Sequence, residues 1–192
     1  MDSFILERPR KDQQSIDQMD TEARLAQDRI LFISDEIDTD SATRFVAYVM
    51  YLQSQNLEPI TIYINSGGGL CVGGFAMYDI IRACPAHVET IAIGEACSMA
   101  ALLLAAGDHR AVYPNARVLI HRVSGGFDNG DAEDAVRAAA EHTRMQEQYI
   151  ALLSRHTGQS VRKLQRDTMK DYYMTASETV EYGLADEVLE II

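Results

Sequence analysis

Apolar and polar positions alternate in blocks along the chain from about Arg29 onward. Four short apolar runs are typical of buried strands, at residues 30–33, 60–64, 88–93 and 116–121. Segments with apolar residues at helical spacing lie between these runs, and they predict helices over residues 41–55, over residues 72–83 and up to Gly107. Because strands and helices alternate repeatedly, we predict an α/β fold with a parallel sheet.

Polar residues mark where two of the helices begin. Either Asp40 or Ser41 is expected to cap the first helix, because a short polar side chain accepts a hydrogen bond from a free N–H of the first turn. Near the C-terminus, Thr175 and Glu178 have the spacing of a capping box. We therefore expect a short helix after Thr175 that ends near Gly183.

The longest helical pattern covers residues 132–156 and is closed by Gly158. Its middle is rich in alanine, and larger apolar residues lie toward one side at Met145, Tyr149, Ile150 and Leu153. Two interpretations are equally favoured. The helix either projects and packs on another subunit, or it is buried within its own chain.

The first part of the chain differs from the rest. Residues 1–28 are polar, mixed in charge and without a clear period, and they predict a mobile N-terminal arm. Residues 29–192 are expected to form a single domain, because a chain of 192 residues that is 47% hydrophobic can enclose one ordinary core.

Composition argues against several classes of protein. Three cysteines without a CxxC pair support neither a disulfide framework nor a zinc knuckle, and a reducing cytoplasm is the expected location. No apolar stretch approaches the length that spans a bilayer. A formal charge of −12 without a Lys/Arg cluster argues against nucleic acid as a partner, because phosphate binding needs a dense positive face. A metal site has little support, since there is no HExxH motif.

Ser98 lies where a predicted strand runs through small residues into an Ala/Leu helix, in the segment GEACSMAA. Free N–H groups at a helix start stabilise developing negative charge, which favours an acyl-transfer nucleophile at this position. The alternative is that Ser98 only caps the helix, as serine commonly does. The spacing differs from the GxSxG motif of α/β-hydrolases. Cys97 is a rival nucleophile, although a small buried thiol is its preferred interpretation.

Three glycines follow a predicted strand in the segment NSGGG, at residues 65–69. They allow the backbone to turn sharply and approach a substrate, so one candidate role is to supply an amide to an oxyanion hole. A nucleotide-binding loop is a competing interpretation, but GxGxxG is not satisfied because Val72 stands where the third glycine is needed. A plain tight turn also stays open.

Among the five histidines, His121 differs from the others. It ends an apolar strand just before a polar glycine-containing loop, a common place for a catalytic side chain. His142 and His156 fall in the long helical pattern and are predicted to be surface residues. The chain has 29 carboxylates, so composition alone selects no acid partner for His121.

Eight segments together resemble the proteolytic subunit of Clp protease. The resemblance runs from about Arg29 to Val188, and the order and spacing of the segments are those of the family. They are YINSGGG, YDII, GEACSMAALLLAAG, PNARVLIH, GGF, HTGQ, RDTMKDYYMTA and EYGLADEV.

This resemblance implies a serine endopeptidase that cuts unfolded polypeptide. It makes Ser98 the nucleophile, His121 the general base and Asp171 the acid that orients the imidazolium. It also implies that the backbone N–H groups of Gly69 and Met99 form the oxyanion hole.

The family's fold is a crotonase-like α/β domain with a long projecting handle helix, which the resemblance locates at about residues 122–156. Seven such subunits form a ring, and two rings stack through the handles around a chamber. The N-terminal arm at residues 1–28 would line the axial pore. A Clp ATPase unfoldase would dock outside and use ATP, whereas the proteolytic subunit would need no cofactor and no metal.

The resemblance further implies an apolar groove in which the ATPase docks. Tyr63, Ile91 and Ile93 keep the apolar character of this groove, whereas Thr61 and Ala83 replace residues that are commonly aromatic. Docking of the ATPase is therefore expected to be weak, selective or shared with another subunit, and one hypothesis explains this. It would make the chain a divergent paralogue that works beside a second subunit type in mixed rings.

The chain departs from the family pattern at several other positions. Asp167 is a nearby alternative acid, but it matches the pattern less well than Asp171. The remaining departures are glycine for proline at Gly67, alanine for glycine at Ala100, Arg122-Val123 for Gln-Pro, and Met169-Lys170 for an acidic residue followed by arginine.

Two other classes of function stay open beside the peptidase. A noncatalytic ring subunit would contribute architecture or regulation. A crotonase-type acyl-CoA enzyme would also hold an oxyanion with backbone amides, but it leaves the contexts of Ser98 and His121 without a reason. The intact set of Ser98, His121 and Asp171 favours the peptidase.

Overall fold

A computed structural model describes residues 21–124 and 131–190 of the chain. Most of the predicted arm, residues 1–20, lies outside the described residues. So does the GGF segment at residues 125–127.

Within these ranges the chain forms seven helices and seven strands. In chain order they are α1 (Thr21–Gln27), β1 (Ile30–Ile33), α2 (Thr39–Gln55), β2 (Ile60–Ser66), α3 (Cys71–Ala83), β3 (Val88–Cys97), α4 (Met99–Ala105), β4 (His109–Val112), β5 (Arg117–Ile120), α5 (Ala132–Thr157), α6 (Val161–Asp167), β6 (Tyr172–Met174), α7 (Ala176–Tyr182) and β7 (Glu187–Val188).

The strands form one mixed sheet. Its main path has the order β1-β2-β3-β4-β7, and all neighbours along that path are parallel. The predicted α/β fold is therefore confirmed. The expected parallel sheet is found along this path, but the whole sheet is mixed because β6 returns antiparallel to β5. The crotonase-like assignment and a projecting handle stay predictions.

Strand β3 is ten residues long; β2 pairs with it on one side, and β4 and β5 share the other side. Its residues from Glu89 to Ala92 pair with β4, and its last three residues pair with β5. Gly94 lies between the two parts with φ +66°, and a side chain there would collide with Asn65. The end of β3 therefore leaves the main path and carries Cys97 to the side of β5.

Helix α4 is buried along its whole length, because its sequence is apolar on every face. It contacts α3, β3 and α5. Gly74 of α3 allows this close approach, since a Cβ atom at that position would lie 3.0 Å from Met99 Cβ. The first turn of α4, directly after Ser98, is therefore tightly confined.

The start of α2 differs from the prediction. The helix begins at Thr39 and is capped by Asp38, whose carboxylate accepts a hydrogen bond from the Ser41 N–H at 2.7 Å. Ser41 instead closes the capping box, because its hydroxyl accepts from the Asp38 N–H at 2.9 Å. The predicted capping box of Thr175 and Glu178 is confirmed at α7.

Several short helices and strands were not predicted from the sequence. Helix α1 lies within the predicted arm and contacts β1, and its Ala26 is buried, so the compact part of the described chain begins before Arg29. Strands β4 and β6 and helix α6 have three to seven residues each, which is too short for a hydrophobic period to be recognised. The role of residues 1–28 as an axial loop stays a prediction.

Helix α5 has features of both interpretations offered for it. It spans 26 residues and ends at Gly158, which has φ +69°, as predicted. Tyr149, Ile150 and Leu153 are buried in the core of their own chain, whereas the first three turns are largely exposed. No helix in the described ranges, α5 included, is long and apolar enough to cross a bilayer.

His156, at the end of α5, is half-buried rather than on the surface, so that prediction is wrong. Its Nε2 lies 2.8 Å from the Tyr78 hydroxyl, and its carbonyl accepts from Arg110 at 3.2 Å. Burial, together with the charges of Arg82 and Arg110, lowers the pKa of His156 to about 4. The neutral imidazole thus fastens the end of α5 to α3.

This lowered pKa predicts a loss of stability in mild acid. Below its ordinary pKa of 6.5, His156 takes up a proton when the chain unfolds but stays neutral in the folded chain, so the free energy of unfolding falls from pH 6.5 toward pH 4. We expect the urea midpoint to fall more between pH 7.5 and 5 in the parent chain than in His156→Gln. Equal falls in both chains would show that His156 does not carry the effect.

Candidate active site

Ser98 occupies a sharp bend between β3 and α4. Its φ of +56° and ψ of −120° are unusual for a residue with a side chain, and such strain persists only where the surroundings enforce it. The Ser98 N–H donates to the Leu119 carbonyl at 2.8 Å, which ties the bend to β5. The Ser98 side chain caps no N–H of α4, so the capping interpretation is wrong. The hydroxyl is left available for chemistry.

The glycine turn at residues 67–69 lies directly against this bend. Gly68 has φ +93°, and a Cβ atom there would lie 2.5 Å from the Cys97 carbonyl oxygen, 2.8 Å from Ser98 Cβ and 3.1 Å from the Met99 nitrogen. Only glycine therefore allows the turn and the bend to approach this closely.

Two backbone hydrogen bonds join the glycine turn to Ile37. The Ile37 N–H donates to the Gly68 carbonyl at 2.8 Å, and the Leu70 N–H donates to the Ile37 carbonyl at 2.6 Å. Neither bond uses the Gly69 N–H. The Met99 N–H belongs to the first turn of α4, where amides have no intrahelical partner. Two amides of the kind that bind an oxyanion thus belong to two segments in contact with each other.

Strand pairing brings His121 and Asp171 to the same edge. Cys97 pairs with Leu119 in the parallel ladder, and Ile120 pairs with Tyr172 in the antiparallel one. His121 directly follows β5 and Asp171 directly precedes β6, next to this last pair of the antiparallel ladder. Ser98, His121 and Asp171 therefore follow or precede three neighbouring strand ends.

The three side chains are not hydrogen-bonded to one another in the described part of the chain. Ser98 and His121 are half-buried, and Asp171 is exposed. Catalytic hydrogen bonds are commonly long without substrate and tighten when it binds. The backbone therefore brings the three residues to one edge of the sheet without a hydrogen bond between their side chains.

A comparison with protein families identifies the family of the chain. The family model described as Clp protease matches residues 11–191. The chain belongs to the Clp protease family. The resemblance inferred from eight segments is thereby confirmed over nearly the whole chain.

Asp167, the alternative acid in this Clp protease family member, is already committed to other partners. Its Oδ2 accepts from Lys163 Nζ and from the Tyr182 hydroxyl, each at 2.9 Å, and its Oδ1 accepts from Arg166 at 3.0 Å. Burial alone would raise the pKa of Asp167, but these hydrogen bonds outweigh burial and lower it. Asp167 therefore ties α6 to α7, and it has no free oxygen for His121.

Cys97, the rival nucleophile, is buried and protonated. Burial first, and then the carboxylates of Glu95 and Asp171, raise the pKa of its thiol to about 11. Its Sγ lies 3.6 Å from Glu95 Oε2. Because the thiolate is the reactive form, Cys97 is a poor nucleophile at neutral pH. The effect of Asp171 on this pKa also indicates that its carboxylate lies near the bend.

An open depression adjoins the glycine turn. Its lining is polar and carries three carboxylates, and it consists of Ser34, Asp35, Glu36, Asn65, residues 67–69 and Glu95. At Gly67, where the family usually has proline, a Cβ atom would meet only Glu95 Oε1, at an ordinary 3.7 Å. This departure from the family pattern is therefore not required by packing.

The departures near His121 and Asp171 affect the surface more than the core. The Val123 N–H donates to Gln146 Oε1 at 2.7 Å, which joins the segment after His121 to α5. Met169 is 73% exposed, and Lys170 is exposed as well. Ala100, which replaces a glycine, is fully buried within α4. Met169 is thus an apolar residue on the surface, at a position where the family pattern has an acidic residue.

The proposed docking residues lie on the outer face of the sheet. Tyr63 and Ile91 are register partners on β2 and β3, and Tyr63 stacks on Phe32 with ring centroids 5.5 Å apart. Tyr63 and Ile93 line a shallow apolar depression together with Phe32 and Tyr113, whereas Ile91 is buried beside it. The sequence indicated neither Phe32, on β1, nor Tyr113, directly after β4, because an aromatic residue at a sheet surface has no distinct local pattern.

The described residues contain no group of three or more His, Cys, Asp or Glu side chains that could hold a metal ion.

The sequence analysis did not predict the contact of Tyr149, whose hydroxyl donates to the Ser98 carbonyl at 3.1 Å. The one available signal was a polar tip on an otherwise apolar helix face, since a buried tyrosine hydroxyl usually has a partner.

Proposed function

We propose that this Clp protease family member is a serine endopeptidase that hydrolyses peptide bonds of unfolded polypeptide. The observation that carries the proposal is the Ser98 bend. Ser98, whose side chain caps no helix N–H, is held at φ +56° against a glycine turn, near the end of the β5–β6 pair that His121 follows and Asp171 precedes. A serine that only capped a helix would need neither this strained backbone nor these neighbours.

In the proposed reaction, His121 takes the proton from Ser98 Oγ as the oxygen attacks the substrate carbonyl. The Gly69 and Met99 N–H groups stabilise the oxyanion, a role that can account for about 3 to 4 kcal/mol of barrier reduction for each donor. His121 then gives the proton to the leaving amine. Water attacks the acyl-enzyme by the same route, with His121 again as base.

Asp171 would orient the imidazole and stabilise its charged form. Its position directly before β6, next to the last residue pair of β5 and β6, and its carboxylate, which no hydrogen bond from the described residues occupies, support this role. The alternative acid, Asp167, is disfavoured because Lys163, Arg166 and Tyr182 occupy both of its oxygens.

The test of this function is intact-mass analysis after treatment with a serine-directed fluorophosphonate under conditions that preserve assembly. We expect one adduct on the parent chain, one on Cys97→Ala and none on Ser98→Ala. The Cys97→Ala control removes the neighbouring thiol without touching the serine. An unlabelled parent chain, or an adduct that persists in Ser98→Ala, would contradict an activated Ser98.

The two acids are separated by a matched pair of amide variants. We expect Asp171→Asn to lower kcat by roughly 10³- to 10⁴-fold, since an asparagine favours the wrong tautomer of the histidine, and to leave stability nearly unchanged. Asp167→Asn should instead lower the free energy of unfolding, because it weakens a hydrogen-bonded cluster that joins α6 and α7. Peptide turnover and urea unfolding of both variants are the measurements. The reverse pattern would assign the acid to Asp167.

The proposal extends to the assembly. Two stacked heptameric rings, or mixed rings with a paralogue, would enclose the sites, with α5 as the handle and a Clp ATPase docked at the groove of Tyr63, Ile91 and Ile93. The exposed first turns of α5 and the exposed apolar Met169 support contacts with other subunits. The subunit itself would use no cofactor, and the expected location is the cytoplasm.

A noncatalytic or partner-dependent ring subunit is the second candidate. It is favoured by one observation, which is that Ser98, His121 and Asp171 are not hydrogen-bonded to one another in the described chain. Labelling of Ser98 only after a second subunit type is added would support partner dependence. Labelling of the chain by itself would exclude it.

A further inference from the structure

We propose that Tyr149 is a positioning residue for the catalytic bend, because its phenol holds the peptide unit between Ser98 and Met99. The inference rests on the proposed serine peptidase function. It assigns to the buried end of α5 a part in aiming the oxyanion hole, in addition to its part in packing.

The contact is direct and enclosed. Tyr149 is 1% exposed, and its hydroxyl donates to the Ser98 carbonyl oxygen at 3.1 Å. Burial raises the pKa of the Tyr149 phenol, so it stays a neutral donor at physiological pH. An apolar side chain would satisfy packing at this position equally well. The hydroxyl therefore has its effect through the carbonyl that it binds.

The bound carbonyl belongs to the peptide unit that also carries the Met99 N–H. A trans peptide is planar, and its C=O and N–H bonds point in opposite directions. When Tyr149 fixes the direction of the Ser98 carbonyl on the α5 side, it also fixes the direction of the Met99 N–H on the other side. A hydrogen bond at the carbonyl further polarises the amide and strengthens it as a donor.

This peptide needs such a restraint. Ser98 has ψ −120° with a positive φ, a conformation that does not persist without support. The Ser98 N–H bond to Leu119, at 2.8 Å, restrains the preceding peptide, and Gly68 confines the side-chain Cβ. On the Ser98 carbonyl, the Ala101 N–H at 3.1 Å acts along the helix, and Tyr149 is the side-chain donor. Without Tyr149, the peptide can tilt within the first turn of α4.

The test compares Tyr149→Phe with the parent chain in steady-state peptide hydrolysis and in fluorophosphonate inactivation. We expect kcat to fall about 5- to 10-fold with KM unchanged, because one neutral hydrogen bond that matters mainly in the transition state is lost. The inactivation rate constant should fall by a similar factor, since the phosphonyl oxygen occupies the same oxyanion hole. Loss of packing alone would not separate kcat from KM.

Tyr78→Phe is the matched control. It also removes one buried phenol contact that fastens α5, but the partner is His156, at 2.8 Å, and not the bend. We expect its kcat to stay within about twofold of the parent value. Equal losses of kcat in both variants would overturn the inference, because they would indicate a general loosening of α5. A kcat within twofold of the parent in Tyr149→Phe would overturn it as well.

A second measurement does not depend on turnover. Backbone amide hydrogen exchange over residues 97–101 should become faster in Tyr149→Phe and stay unchanged in Tyr78→Phe. Unchanged exchange in Tyr149→Phe would refute the hold on this peptide. If the parent chain failed to label at Ser98, the proposed peptidase function would fail, while the exchange comparison would still decide whether Tyr149 restrains the bend.

Discussion

Ser98→Ala is expected to lower peptide turnover by at least about 10⁴-fold, because it removes the atom that forms the acyl-enzyme. The stability of the folded chain should hardly change. The Ser98 side chain caps no N–H of α4, and alanine meets the same backbone strain at φ +56° as serine does. We expect the free energy of unfolding to stay within about 0.5 kcal/mol of the parent value, as is usual for a substitution that removes no cap, core contact or buried hydrogen bond.

Ser160→Ala provides the opposite pattern as a control. Ser160 is a true cap, because its hydroxyl accepts from the Lys163 N–H at 3.2 Å at the start of α6. Its loss should cost about 1 kcal/mol of stability and leave turnover unchanged. Kinetics and urea unfolding of the two serine variants therefore separate chemistry from capping. Substantial turnover in Ser98→Ala would refute the proposed nucleophile.

Gly68→Ala is expected to impair both folding and chemistry. The new Cβ atom would lie 2.5 Å from the Cys97 carbonyl oxygen and 2.8 Å from Ser98 Cβ. The Cys97 oxygen is backbone and cannot move aside as the end of a flexible side chain can, so the bend itself must shift. We expect a loss of about 2 to 4 kcal/mol in stability from the clash and the backbone strain combined. Displacement of the bend should also lower kcat by about 10²-fold or more.

Gly158→Ala separates the clash from the backbone strain. Gly158 also has a positive φ, +69°, but a Cβ atom there would meet nothing within 4 Å. Its replacement should cost about 1 kcal/mol from strain alone and leave kcat unchanged. Thermal unfolding and peptide hydrolysis measure both effects. If the two alanine variants behaved alike, close contact between the glycine turn and the Ser98 bend would not be the cause.

The longer helices and strands were predicted from the sequence because each has a hydrophobic pattern that repeats within its own segment. The β1, β2, β3 and β5 strands are apolar runs, and α2, α3 and α5 have apolar residues at helical spacing over at least 13 residues each. The elements that were missed are short. Among them β6 matters most, because its pairing with β5 brings Asp171, directly before β6, to the end of β5 that His121 follows.

The choice between two aspartates illustrates the limit of sequence reasoning. Asp167 and Asp171 lie four residues apart, and composition does not separate them; only the resemblance to the family favoured Asp171. In the folded chain Asp167 is saturated by Lys163, Arg166 and Tyr182, whereas Asp171 keeps a free carboxylate at the strand edge. His156 was misjudged for a similar reason, since its partner Tyr78 is 78 positions away.

By itself, the sequence determined the α/β class, the Clp protease family and the short segments that carry the candidate chemistry, because each depends on neighbouring residues or on their order. Only the tertiary structure decided the backbone conformation of Ser98. Its strained backbone results from Gly68, Leu119 and Tyr149, which come from three distant segments. Such a conformation has no local signature, since it is stable only when residues far apart in the chain enforce it together.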